Sequence, residues 1–119
     1  MRNEDRDSVR RKLDKELYFY RLAAKRTNST PNLLRAVRHV LGIPVLEMAR
    51  TLGLNRSVVF GLEQREGRGT ITLNSMERVA SAMGCKLVYA IVPLGGKTLA
   101  EMGEERRWAK RLGKAGNRD

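Results

Sequence analysis

Residues 45–64, VLEMARTLGLNRSVVFGLEQ, put small and apolar side chains where two short helices must cross at a tight turn. Met48, Ala49, Leu52, Leu54, Val59 and Leu62 form the apolar set, and Gly53 separates the two helical patterns. Ala49 is small where a second helix has to come close, and Gly53 suits the positive-φ turn that ends the first helix. Asn55 can then cap the second. This spacing predicts a helix-turn-helix, whose second helix lies in the major groove of DNA. The alternative is an αα-hairpin of a helical bundle, which uses similar apolar spacing.

The rest of the chain is read around that unit. With 119 residues and a formal net charge of +11, it is expected to be one domain with appended arms and a polyanionic partner. Nucleic acid is the first candidate and an anionic membrane surface the second. No apolar run approaches the roughly 18 residues of a membrane span, and the charged N-terminus lacks the apolar core of a signal peptide, so a cytoplasmic protein is expected. Cys85 is the single cysteine and reads as a small buried hydrophobe; His39 is the single histidine and reads as a surface residue near a helix C-terminus. Neither a metal-ligand cluster nor a nucleophile–base set has recognisable spacing. Glu101, Glu104 and Glu105, beside Arg106 and Arg107, read as a solvated helix face. The expectation is a non-enzyme without metal or cofactor.

Residues 1–30 form a basic amphipathic helix or arm in this reading. Val9, Leu13, Leu17, Tyr20 and Ala24 recur at helical spacing, widened by Tyr18, Phe19 and Leu22. That face packs on the core or a second subunit; alternatively the segment tracks the phosphate backbone. After the polar break at residues 27–30, Thr30 as N-cap and Pro31 start the next helix, with Leu33, Leu34, Val37, Val40 and Leu41 on one face and Gly42 at its end. Gly67-Arg68-Gly69 reads as a flexible basic loop. Thr72 caps a further helix with Met76, Val79, Ala80 and Met83 on its apolar face, closed by Gly84, so that the DNA-binding domain spans 31–84.

Residues 85–92, CKLVYAIV, are rich in β-branched and aromatic side chains and stop at Pro93, which predicts a strand over 85–93. A single strand in a helical chain has no sheet to join. Leu87, Val88, Tyr89 and Ile91 are therefore expected to pair with a second copy in a two-stranded ribbon, giving a homodimer; the alternatives are a partner protein or a strand lying over the core. Gly95-Gly96 reads as a hinge, residues 98 to about 112 as a last helix with a basic end, and the tail from 113 as disordered. Trp108 either docks that helix or marks a partner-binding patch.

In a helix starting after Asn55, Val59 and Leu62 face the core, which turns Arg56, Ser57, Phe60, Gly61 and Gln64 toward DNA. Arg56 can donate two hydrogen bonds to guanine O6 and N7, worth roughly 1–3 kcal/mol of discrimination. Ser57 can bond a base or a phosphate. Phe60 can meet a thymine methyl, or else the preceding helices or a partner. Gly61 costs the helix roughly 1 kcal/mol against alanine, which a close approach of nucleic acid would explain. Asn55, Gln64, Arg65, Arg68 and Thr70 are the expected phosphate contacts. Glu63, an acid amid basic residues, calls for an ion pair, and Arg38 is its expected partner.

From Leu33 to Met83 the chain resembles the Cro/C1-type (XRE-like) helix-turn-helix family, in LLRAVRHVLGIP, VLEMARTLG, NRSVVFGLEQREG and TLNSMERVASAMG. The resemblance implies an all-α, five-helix, lambda-repressor-like domain, to which the chain's own spacing adds an N-terminal helix, a C-terminal β-strand and a basic terminal helix and tail over 94–119. It also implies an Arg38–Glu63 pair and base contacts from Arg56, Ser57, Phe60 and Gly61. LDKEL, TPNLLRAVRHVLG and GTITLNSMERVASAMGCKLVYAIVP further resemble the subgroup called mobile mystery protein A, typically encoded beside a Fic-domain protein. Two departures stand out: Pro44-Val45 replaces the family's usual Ser-Gln, and Gly61 replaces a longer polar side chain. The expected function is a dimeric autorepressor that binds double-stranded DNA at a pseudo-palindromic operator. The alternatives are an antitoxin-like protein inhibiting a neighbouring Fic-domain enzyme, and non-specific nucleic-acid binding.

Overall fold

Four helices pack around the residues of the quoted stretch. A computed structural model describes residues 2–25 and 32–113; the expected N-cap Thr30, Pro31 and most of the tail lie outside them. Among the described residues the chain is all-helical: α1 (Asn3–Glu16), α2 (Tyr18–Ala24), α3 (Leu33–Val40), α4 (Val45–Leu52), α5 (Arg56–Arg68), α6 (Leu73–Ala82), a 3-10 turn at Leu94–Gly96, and α7 (Leu99–Gly113). They belong to two compact units, Asn28–Tyr89 and Met1–Thr27 with Ala90–Asp119.

In the Asn28–Tyr89 unit, the core consists of Leu34 from α3, Met48 and Ala49 from α4, Val59 and Leu62 from α5 and Val79 from α6. Ile43, Val45, Leu52, Leu54, Ile71, Met76, Ala82 and Met83 close around it. The helices start and stop where local chemistry dictates. Gly53, at φ 68°, ends α4 in the left-handed region, and Leu54 N–H donates to the Ala49 carbonyl at 2.8 Å. The Thr72 hydroxyl accepts from Ser75 N–H at 3.0 Å and starts α6. The unit contains four helices in its described residues rather than the five expected. Gly67 and Arg68 belong to α5, not to a loop; the turn comes at Gly69, with φ 75°. Cys85 is exposed, not buried, with Sγ 3.7 Å from the Met83 carbonyl oxygen.

The expected strand over 85–93 is absent. Leu87, Val88, Tyr89 and Ile91 have no regular secondary structure, and Ile91 is 90% exposed. A strand exists only by its ladder of inter-strand hydrogen bonds, and among the described residues no second strand offers one. β-propensity alone therefore leaves these residues irregular.

In the other unit, the first and last helices associate. The Asp14 carboxylate accepts from Leu99 N–H at 2.7 Å and Ala100 N–H at 3.1 Å, capping α7 from a position 85 residues earlier. Arg107 donates to Asp7 at 2.9 Å, and Arg10 also pairs with Asp7. Gly103 is buried because Arg10 crosses it, with the guanidinium carbon 2.6 Å from where a Cβ would stand. Thr98 and Glu101 form a capping box: Thr98 N–H donates to the Glu101 carboxylate at 2.8 Å, and Glu101 N–H to the Thr98 hydroxyl at 3.1 Å. The bond from the Thr98 backbone, helped by its hydroxyl, holds the Glu101 carboxyl below its ordinary value. Glu101 is thus a cap rather than only part of a solvated face, and the T-x-x-E signature was present in the sequence.

Candidate nucleic-acid interface

The α4–turn–α5 segment presents one helix face outward on a rigid support. The Asn55 side chain accepts from Val58 N–H at 3.0 Å, satisfying a donor at the start of α5. Val59, Leu62 and Glu63 are buried. At 100° per residue, the direction opposite them belongs to Ser57, Gly61, Gln64 and Arg68. Arg56 and Phe60 project from the flank toward α3, and Arg65 from the other flank. Arg56, Ser57, Gln64, Arg65 and Arg68 are exposed and Gly61 is half-buried.

Phe60 is half exposed, at 50%, and lines a recess of about 230 Å³ with Asn32, Arg35, Glu63 and Gln64. The sequence left Phe60 between the groove and the preceding helices. It shares that recess with Asn32 and Arg35 from the start of α3 and keeps half its surface in solvent. Arg35 joins this surface although sequence reading passed over it, because only the packing of α3 on α5 brings it there. Gly61 has no heavy atom within 4 Å of a built Cβ and an ordinary φ. Nothing inside the fold requires glycine there. Gly61→Ala is accordingly expected to raise stability by roughly 0.5–1 kcal/mol, read as a higher urea midpoint. If nucleic acid approaches that face closely, the same variant binds duplex more weakly.

Behind this face sits a buried ion pair. Arg38 Nε donates to Glu63 Oε2 at 2.7 Å and Nη2 to Oε1 at 3.2 Å, while Nη1 donates to the Ile43 carbonyl at 3.1 Å. The fork thus joins α3, α5 and the α3–α4 turn. Glu66 adds a second tie that the sequence did not suggest: its carboxylate accepts from Leu33 N–H at 3.0 Å and Leu34 N–H at 2.8 Å. Asn32, the residue before α3, makes no side-chain cap bond, so a carboxylate from α5 does the capping. No local motif announces a cap supplied from 32 residues away. Thr70, expected at a phosphate, turns its N–H to the Arg65 carbonyl at 2.8 Å and its hydroxyl to the same oxygen at 3.4 Å, closing α5.

Chemically, the face offers guanidinium groups for phosphate or guanine, an amide and a hydroxyl for base edges, and a ring edge for a methyl. Among the described residues no group of three or more His, Cys, Asp or Glu side chains could hold a metal ion, and no helix is long and apolar enough to cross a membrane. No family model, curated protein or solved structure matches the chain.

Proposed function

We propose that the protein is a sequence-specific, double-stranded DNA-binding regulator of the Cro/C1 type. In this reading it acts as a homodimer on a pseudo-palindromic operator and represses its own operon. The observation that carries the proposal is α5: an end-capped helix with its inner face anchored by the Arg38–Glu63 fork and its outer face occupied by Ser57, Gly61, Gln64 and Arg68. Arg56 and Arg65 flank that face, on a chain of net charge +11. Autoregulation rests on the resemblance to mobile mystery protein A.

Binding to the protein's own upstream region, competed against random duplex at physiological salt, tests the proposal. A preference of about a thousandfold or more supports a specific regulator, and a ratio near one leaves only electrostatic attachment. Arg56→Ala is expected to weaken operator binding by roughly 1–3 kcal/mol and random-duplex binding by less. Equal losses on both would remove Arg56 from base reading.

A second reading, an antitoxin-like inhibitor of a neighbouring Fic-domain enzyme, is favoured by one observation. Trp108 is 58% exposed on α7, with the Arg111 guanidinium 5.6 Å from its ring centroid. Such aromatic–arginine clusters are frequent anchors of protein interfaces. Co-purification with the adjacent gene product that Trp108→Ala abolishes would support it.

A further inference from the structure

The sequence counts Tyr18, Phe19 and Leu22 with the apolar stripe of α1, but the structure turns them to the side of Lys15 and Arg21. Asp14, Lys15, Tyr18, Phe19 and Arg21 together line an open recess of about 370 Å³. Helical bonding carries through the turn at Leu17, whose N–H donates to the Leu13 carbonyl at 2.8 Å and whose carbonyl accepts from Arg21 N–H at 2.9 Å. Residues three and four positions from Lys15 are therefore its neighbours: Arg11 and Lys12 one turn before, Tyr18 and Phe19 one turn after, with Leu22 a turn further. All are exposed, Phe19 at 75%. Among the described residues, Arg11, Lys12 and Lys15 make no ion pair or side-chain hydrogen bond. The acid in the recess is already engaged, since Asp14 caps α7 and pairs with Arg21 at 3.6 Å. Glu16 is turned about 100° from Lys15, and Glu4 stands roughly 16 Å away along the axis. Tyr18 braces Phe19 edge to face, with ring centroids 5.1 Å apart, and the Arg21 guanidinium lies 5.8 Å from the Tyr18 centroid.

We infer that this surface binds an unpaired nucleic-acid strand, with phosphates along Arg11, Lys12 and Lys15 and a base stacked on Phe19. Three unneutralised cations on adjacent turns call for a polyanion, and the chain's net charge of +11 draws one in. The rings decide which. A phosphate backbone alone gives an exposed phenyl ring nothing to bury against, and the bases of a duplex present only their edges, their faces being covered by stacking. An unpaired strand offers a charged backbone and free π-faces together. An anionic bilayer also offers charge and an apolar interior. Helices that lie in that interface, however, carry an apolar face along their length and cations on the opposite one. Here cations and rings follow one another in a single line, over about 12 Å of axis from Arg11 to Phe19, the order in which a strand meets them. Arg21 holds Tyr18 and Tyr18 holds Phe19, so the ring is positioned before any ligand arrives and less freedom is lost on binding. The inference goes beyond the proposed regulator, in a different unit and for a different form of nucleic acid.

The test uses the full chain and fluorescence anisotropy of labelled probes: short oligo-dT and oligo-U, an abasic strand of the same length, and a random duplex. The natural chain should bind oligo-dT or oligo-U about tenfold or more tightly than the abasic strand, because stacking adds to a charge that all three share. Phe19→Ala should remove that preference and leave duplex binding unchanged. Phe19→Trp should keep it, while Phe19→Leu, apolar but without a π-face, should not. Phe19 stands largely in solvent, so these changes leave the fold intact, which helical circular dichroism checks. Lys12→Gln with Lys15→Gln should flatten the salt dependence of oligo-dT binding by about 1.4 in log-log slope, roughly 0.7 for each lost phosphate contact. Tighter binding to oligo-U assigns RNA as the source and tighter binding to oligo-dT assigns DNA; either supports the site. Equal affinity for abasic and base-bearing strands, or strand binding indifferent to Phe19→Ala, would overturn the inference. So would a Phe19 dependence found only on vesicles of phosphatidylglycerol and phosphatidylcholine, which assigns the surface to a membrane. Operator preference is read separately: its absence sinks the regulator alone, and its survival beside a strand-indifferent Phe19→Ala sinks this inference alone.

Discussion

Glu63→Ala is expected to lower the free energy of unfolding by about 3–5 kcal/mol, the cost of leaving one member of a buried ion pair without its partner. Arg38 and Glu63 are each only 6% exposed, and the guanidinium makes all three of its hydrogen bonds inside the fold. Without the carboxylate, two bonds disappear and a charge stays out of water with a single carbonyl as company. Small domains are stable by roughly 5–15 kcal/mol in total, so the variant should unfold at markedly lower urea. Replacing both partners, Arg38→Met with Glu63→Leu, should recover most of the loss, because the penalty comes from the orphaned charge. Urea unfolding followed by helical circular dichroism, at one fixed protein concentration, reads both. A loss below about 1 kcal/mol for Glu63→Ala would mean that water reaches Arg38 and that the pair is not a dry anchor.

Met48→Ala should cost about 2–5 kcal/mol by the same measurement. Met48 is 1% exposed at the centre of the four-helix core, on the helix that sets the angle of α5. Truncation removes the transfer free energy of the thioether chain and leaves a hole between α4 and its neighbours that backbone this tightly turned cannot close. Met48→Leu, nearly equal in volume, should cost less than about 1.5 kcal/mol. If both substitutions cost the same, shape rather than volume governs the site and the cavity argument fails.

Much of the Asn28–Tyr89 unit was legible because its signals are local. Gly53 after an apolar run, Asn55 before the next, and Thr72 before the one after act within three or four residues of where they stand, so a short window contains the cause. The Arg38–Glu63 pairing could be reasoned because an acid amid basic residues calls for an ion pair and Arg38 stands one helix earlier, a pairing the family resemblance also implied; that both are buried came only from the packing. Glu66 capping α3 and Arg35 beside Phe60 were not legible, since each depends on which helix end comes to rest beside which.

The terminal segments divide the same way. Sequence alone determined the helical periodicity of residues 3–24 and 99–113 and the apolar character of residues 85–93, because spacing and composition are properties of the chain itself. Only the tertiary structure decided that the first and last helices meet, that they meet by a polar stripe with Asp14 capping α7, and that residues 85–93 carry no strand. The physical reason is the same in each case. A hydrogen bond between distant segments and a β-ladder both need a partner brought up in space, and no single stretch of sequence specifies where its partner will be.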